Sequence, residues 1–243
     1  GGSIFKMSDP SRIEQVGIEN LRAISFWKPN ENRVDDTRHA DEFLELDNLK
    51  NAWVRNVTVE HFYTTNGAFR TGRGSKWVTI QDSSTLIADR LFYHGKGYDS
   101  TGRTFLETNV YAGRYGFYLL GQSALVMRSY ALNNRHGFAL GSRVTGPNVF
   151  LDNVGEDPLT WSEPHHRWST GGLYDNVHDE IALMNRLNLG SGHGWAGANY
   201  VAWNTEGVLL THQPPTAQNW AIGHVGEKDD GGGRGPDGYW ESH

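Results

Sequence analysis

Internal repetition, at two independent spacings, constrains this chain more than any other feature. The first repeat has the form apolar, polar, Asn, apolar and occurs as Ile18-Glu19-Asn20-Leu21, Leu46-Asp47-Asn48-Leu49, Val54-Arg55-Asn56-Val57, Leu151-Asp152-Asn153-Val154 and Tyr174-Asp175-Asn176-Val177, the last two 23 residues apart. The second is an aromatic residue followed shortly by glycine: Phe117 to Gly121, Phe138 to Gly141, Trp168 to Gly171, Trp195 to Gly197 and Trp220 to Gly223. Its aromatic positions advance by 21, 30, 27 and 25 residues. Self-similarity at a period of roughly 20 to 50 residues marks solenoids and arrays.

A step in the low twenties matches one turn of a parallel β-helix, three short strands and three corners, with longer steps holding inserted loops. Alternating runs such as Trp53-Val54-Arg55-Asn56-Val57-Thr58-Val59 and Trp77-Val78-Thr79-Ile80 supply the strands. Each coil leaves its strand edges open until the next stacks about 4.8 Å away, so equivalent positions form columns. Asn153 is therefore expected to stack on Asn176, and Phe117, Phe138, Trp168, Trp195 and Trp220 to set the register. Propeller blades need longer repeats, and the hairpin dipeptides Asn-Gly and Asp-Gly are few, namely Asn66-Gly67, Asp230-Gly231 and Asp237-Gly238. The expected fold is all-β, a right-handed parallel β-helix forming one unit over residues 1–243, with loop insertions near 28–41, 155–166 and 227–238. Gly1-Gly2-Ser3 reads as appended sequence and Trp240-Glu241-Ser242-His243 as an end without a cap, so the segment is expected to belong to a longer β-helix. Exposed terminal coils would then favour self-association.

Composition narrows the function classes. The net charge is −6 with scattered basic residues, which leaves no footprint for nucleic acid or an anionic membrane. The absence of cysteine excludes a disulfide framework and thiolate sites. No apolar run approaches the roughly 18 residues that span a bilayer, and the amino terminus has no signal-peptide pattern.

Aligning the aromatic repeats places Tyr115, His136, His166, His193 and Gln218 in one column, two residues before each aromatic. Gly116, Gly137, Arg167, Gly194 and Asn219 form the next, where Arg167 stands out among small residues. Because histidines and aromatics share a parity, the histidines either point inward as satisfied core groups or face solvent as a titratable track. Trp161, in the stretch Trp161-Ser162-Glu163-Pro164-His165-His166-Arg167-Trp168, is the candidate for stacking on a sugar, with His165, Arg143 and Gln218 as further substrate-binding candidates. The glycines of Gly190-Ser191-Gly192-His193-Gly194-Trp195-Ala196-Gly197-Ala198 suit either corners or close approach of a ligand. Asp152 and Asp175, aligned in the first repeat, would make a glycosidase carboxylate pair or be solvated corner residues. Adjacent histidines at 165 and 166, with no thiolate to help, argue against structural zinc, so no metal ligands are assigned.

The segments His165-His166-Arg167-Trp168-Ser169-Thr170-Gly171, Gly192-His193-Gly194-Trp195-Ala196-Gly197-Ala198, Pro214-Pro215-Thr216-Ala217-Gln218-Asn219-Trp220-Ala221-Ile222-Gly223 and Gly238-Tyr239-Trp240-Glu241-Ser242-His243 resemble bacterial pectate-lyase-like β-helix proteins, over about residues 15–243. The resemblance implies an extracellular or periplasmic protein whose partner is a polysaccharide, and β-elimination on a uronate polymer, with Ca²⁺ as the cofactor it allows. On that scheme Arg167 pairs with the sugar carboxylate, His166 or His193 is the base, and His136 or Tyr115 the acid. A glycoside hydrolase using Asp152 and Asp175, and a non-catalytic glycan-binding or adhesin module, are the alternatives.

Overall fold

The computed structural model describes residues 10–26, 40–62, 66–87, 96–98, 104–106 and 113–241. Apart from the helical turn Leu189–Gly192, regular structure in these residues is strand. All ladders between strands are parallel except that joining Lys96–Tyr98 to Thr104–Leu106. Three parallel ladders run up the stack. The first takes in Gly17–Ile24, Leu49–Glu60, Lys76–Gln81, Leu125–Met127, Thr145–Leu151, Ser169–Asp175, Val201–Trp203, Trp220–Ile222 and Tyr239–Glu241. The second runs from the end of Leu49–Glu60 through Ser84–Leu86, Tyr130–Leu132, Val154–Glu156, His178–Leu183 and Glu206–Thr211 to Val225–Asp229. The third joins Leu44–Leu46, Phe69–Thr71, Tyr115–Leu119 and His136–Leu140. The chain is an all-β stack of parallel coils, as the repeats require.

Between the first two ladders the backbone turns at a column of residues with positive φ: Asn20, Asn56, Asp82, Arg128, Asp152, Asn176, Asn204 and Gly223. L-residues disfavour this left-handed conformation, and Asn, Asp and Gly tolerate it best. That is the physical origin of the apolar-polar-Asn-apolar repeat. Side chains also link one corner to the next. Asn56 donates to Asn20 at 2.8 Å and Asn176 to Asp152 at 2.7 Å. Arg128, the one residue in the column with no special liking for the turn, holds Asp82 through Nε at 2.7 Å and Nη2 at 3.0 Å.

The expected Asn153–Asn176 stack does not form. Leu151 stands opposite Asp175, so Asp152 is the corner beneath Asn176. Asn153 points inward instead, fully buried, accepting from the Ser129 amide at 2.9 Å and donating to the Val126 carbonyl at 3.0 Å. Aligning the repeats on Asn misplaces the register by one residue, because the corner accepts Asp equally well. Asp152 is thereby a ladder residue, and the suggested Asp152–Asp175 acid pair has one member committed to Asn176.

The aromatic register holds for two of its five members. Phe69, Phe117 and Phe138 stack inside the third ladder, with ring centroids 4.9 and 5.3 Å apart. Trp168 does not follow them: it is half-exposed at a positive-φ position, and Ser162 comes next above Phe138, its Oγ accepting the Phe138 amide at 2.9 Å. Trp220 belongs to the first ladder, opposite Val201 and Tyr239, and Trp195 bridges Asn185. Of the expected loops, 28–41 falls largely outside the described residues. Segment 227–238 begins inside Val225–Asp229. Within segment 155–166, Glu156 and Asp157 are exposed whereas Ser162, Glu163 and His165 are buried.

Among the described residues, one carboxyl group points into the interior of the stack. Asp179, buried inside the stack, accepts from Ser162 Oγ at 2.5 Å and from the Glu180 amide at 2.7 Å. It fits because its ladder neighbours are Gly207 and, on the other side, Gly155, where a Cβ would strike the Asp179 carboxyl at 2.3 Å. Burial pushes its pKa up to about 7. A carboxyl group held above its ordinary value keeps its proton longer when folded, so its contribution to stability is full below about pH 4 and is lost as the pH rises through about 7.

Two stability measurements follow from this architecture. Asn176→Ala should lower stability by about 1–2 kcal/mol while Asn176→Gly is milder, as read by urea unfolding. Asp179→Asn should raise the melting temperature by roughly 2–4 °C near pH 8. That gain should vanish near pH 4, and a gain independent of pH would contradict the burial argument.

Candidate functional site

The outward face of the third ladder carries a column in which Glu45 lies opposite Arg70, Arg70 opposite Tyr118 and Tyr118 opposite Ala139. A bridge from Leu140 to Pro164 continues the ladder by one coil and sets Glu163 beside Ala139. A second bridge, Ser162 to Ile181, sets Ala182 on the other side of Glu163. With alanine above and below, the sheet leaves room for other side chains to close over the carboxylate, and Glu163 is completely buried.

Three groups converge on Glu163. Its Oε1 lies 2.6 Å from Arg186 Nη1, 2.7 Å from His165 Nδ1 and 3.4 Å from His136 Nδ1. Arg186 Nη1 also donates to the His165 carbonyl at 2.9 Å. His136 Nδ1 is 2.8 Å from the Trp161 carbonyl. A carbonyl only accepts, so Nδ1 carries the proton and Nε2 is a bare acceptor. That Nε2 is buried without a partner, as is Glu163 Oε2.

Around this centre the rings form a continuous run. Tyr118 stacks on Tyr115 at 4.4 Å between centroids and Tyr115 on His136 at 5.2 Å. His136 meets His165 at 4.5 Å, and His193 lies 4.9 Å from both His165 and His166. The run passes from interior to surface: Tyr115, His136 and His165 are buried, whereas His166 and His193 are partly exposed. Burial, then the neighbouring charges, sets their protonation. His136 and His165 are held well below the ordinary imidazole value. His166 falls to about 4 through burial and then Arg167, and His193 to about 4 through burial and then Arg186. All four are neutral at pH 7, and the positive charge of the site resides on guanidinium groups.

Of the residues singled out from the sequence, the structure gathers His136, His165, His166, His193, Arg167 and Tyr115. Tyr115 stands opposite His136 as the expected column has it, the next coil departs from that register, and His136 and Tyr115 lie inside rather than on a solvent-facing track. Arg167 is pinned by Ser191, its Nη2 donating to the carbonyl and to Oγ at 2.8 Å each. Arg143 is exposed beside it, its amide bonded to the Arg167 carbonyl at 2.8 Å. Trp161 is not a free stacking surface, because its side chain packs on Ala182, Met184 and Leu210. Gln218 lies elsewhere, its amide facing Asn199 Oδ1 and its side chain bonded to the Asn219 carbonyl. Glu163 and Arg186, the two charges at the centre, were not anticipated. Glu163 lay unremarked in the 161–168 stretch, and nothing in the local sequence marks Arg186, since its partners come from the coil below.

The donor set of imidazoles with one carboxylate does not match the all-oxygen cage of Ca²⁺. His136, Glu163 and His165 each offer a ligand atom, and these lie within 4.8 Å of one another.

The glycine-rich stretch has a definite task at one position. Gly190 has φ of 58°, and a Cβ there would lie 2.2 Å from His193 Cε1. Gly190→Ala should therefore displace the His193 imidazole and cost about 1–2 kcal/mol of stability, read as a changed His193 proton-nitrogen correlation together with a lower urea midpoint. Gly192→Ala, whose φ of 73° also disfavours a side chain but whose Cβ meets nothing within 4 Å beyond its chain neighbours, should cost stability with a smaller change in the His193 signal. Comparison of the chain with protein-family models, with curated proteins and with solved structures finds no match.

Proposed function

We propose that this chain is a pectate-lyase-like, right-handed β-helix that cleaves an acidic, uronate-containing polysaccharide by β-elimination. One observation carries the reading: two imidazoles, His166 and His193, lie 4.9 Å apart at the partly exposed end of the ring cluster, beside the anchored guanidinium of Arg167. β-Elimination requires a cation on the sugar carboxylate, a base for the C5 proton and an acid for the leaving oxygen. Arg167 pairs with the carboxylate and, by drawing charge from it, acidifies C5–H. His166, next to Arg167, takes that proton on an unprotonated ring nitrogen. The C–H electron pair forms the C4–C5 double bond as the C4–O bond breaks, and the departing oxygen takes a proton from the N–H of His193.

This arrangement moves the acid role from His136 and Tyr115, which are buried, to a group that a polymer reaches. Arg143 adds positive charge beside the same surface, in keeping with a polyanionic ligand. A polymer substrate fits a protein acting outside the cell. Among the described residues no helix is long and apolar enough to cross a membrane.

The test is ultraviolet absorbance of unsaturated product on a panel of uronate polymers. Turnover is expected on at least one, with His166→Ala and His193→Ala each lowering kcat by about 10²–10⁴-fold and Arg167→Ala lowering kcat/KM. New reducing ends without that absorbance would make the protein a hydrolase. Glycan retention with neither signal would make it a binding module, and either result overturns the lyase reading.

A further inference from the structure

We infer that His136, Glu163 and His165 form a binding site for a divalent transition metal, Zn²⁺ by donor type, which the Arg186 guanidinium occupies as a competing cation. The inference is independent of the lyase reading and concerns groups that lie beneath the proposed catalytic surface.

The first support is that the network is not satisfied as it stands. His165 Nδ1 is 2.7 Å from Glu163 Oε1 and 2.8 Å from Arg186 Nη1. The carboxylate can only accept and the guanidinium can only donate. Nδ1 with a proton faces an N–H of Arg186, and Nδ1 without one faces the lone pairs of Glu163. One of the two short contacts is therefore unfavourable in either tautomer. A metal ion resolves this, because it takes a lone pair from the imidazole and another from the carboxylate.

The second support is two buried acceptors without donors, His136 Nε2 and Glu163 Oε2. Leaving such groups unpaired costs about 1–3 kcal/mol each. His136 is already arranged as a metal ligand, its Nδ1–H bonded to the Trp161 carbonyl at 2.8 Å, which fixes the tautomer and frees Nε2.

Size and donor type agree. Zn²⁺ binds histidine and carboxylate at about 2.0–2.2 Å, so two of its ligand atoms lie at most about 4.4 Å apart. One nitrogen of each imidazole and one carboxylate oxygen fall within 4.8 Å of one another, and side-chain rotation draws the donors to metal-ligand distance. Two imidazoles and one carboxylate suit Zn²⁺ and its neighbours in the first transition row rather than Ca²⁺ or Mg²⁺. Metal and Arg186 exclude each other, since both would claim Glu163 Oε1 and a second cation would leave the buried centre with excess positive charge. The Arg186 side chain is 11% exposed, so it has a route outward.

The experiment titrates chelator-treated protein with Zn²⁺ by calorimetry and with Co²⁺ by visible absorption, in the absence of glycan. One equivalent is expected, with the visible bands of a low-coordinate Co²⁺ site. His136→Ala and Glu163→Gln should each weaken binding about 100-fold or more, while Arg186→Met should tighten it about tenfold. If neither wild type nor Arg186→Met takes up an equivalent, the site does not exist. Uptake that survives both His136→Ala and Glu163→Gln would place the metal on surface histidines and equally overturn the inference. Should circular dichroism show both ligand variants unfolded, Arg186→Met decides alone: tighter binding upholds the site, and unchanged or weaker binding refutes it. Lyase activity has no part in these readouts, so its absence leaves them unaffected.

Discussion

Apart from the Lys96–Tyr98 and Thr104–Leu106 pair, the described strands take their hydrogen-bonding partners from the coil above or below rather than from their own. Nearly everything else follows from that dependence. Backbone donors and acceptors on successive coils must come into register at each of three ladders, so the corners between them have to recur at matching heights. The left-handed column from Asn20 to Gly223 is how the chain meets this requirement. Where the corner residue is not Asn, Asp or Gly, as at Arg128, a two-pronged ion pair to the corner below accompanies it. Exposed ion pairs contribute little on their own, so the regularity rests on backbone pairing and on the inward apolar faces, not on surface charge.

The same register builds the candidate site. Strand alternation sends Phe138 and Ser162 inward and Ala139 and Glu163 outward, and no local signal is needed beyond position. The outward face of a solenoid coil ordinarily meets water. Here Trp161, His165 and Arg186 fold over it, so that a carboxylate and two imidazoles lie buried on what would otherwise be surface. Burying an ion unpaired is costly, which explains why Arg186 and Glu163 meet at 2.6 Å. The four neighbouring imidazoles are held unprotonated for the same reason: the environment that tolerates one paired charge disfavours further positive charges.

A gradient of accessibility results. At the inner end, His136 and Glu163 have buried acceptors without donors. At the outer end, His166, His193 and Arg167 are partly exposed. Gly190 and Ser191 serve that outer end directly, one by making room for the His193 ring and the other by holding the Arg167 guanidinium. Buried polar centre and exposed cationic rim are parts of one packed unit, so substitutions in the first are felt in the second through ring contacts of 4.5 to 5.2 Å.

By itself the sequence determined the architecture and the identity of most of the chemical groups. Repetition of Asn at corner positions and of Phe117 and Phe138 at stacked positions is legible because both are imposed by local rules, the left-handed turn and strand parity. The neighbourhood of His136, His165, His166 and His193 was legible for a similar reason, since a stack brings residues about one coil apart together even when the assumed register is imperfect. Only the tertiary structure decided which residue faces which. Coil length varies, with corners 24 residues apart from Arg128 to Asp152 but 19 from Asn204 to Gly223, and a shift of a single residue turns a side chain from one face to the other. That is why Trp168 and Trp220 left the aromatic column, why Asn153 turned inward, and why Gln218 fell outside the site. It is also why Glu163 and Arg186 stayed hidden: an ion pair between coils leaves no trace in the sequence around either partner.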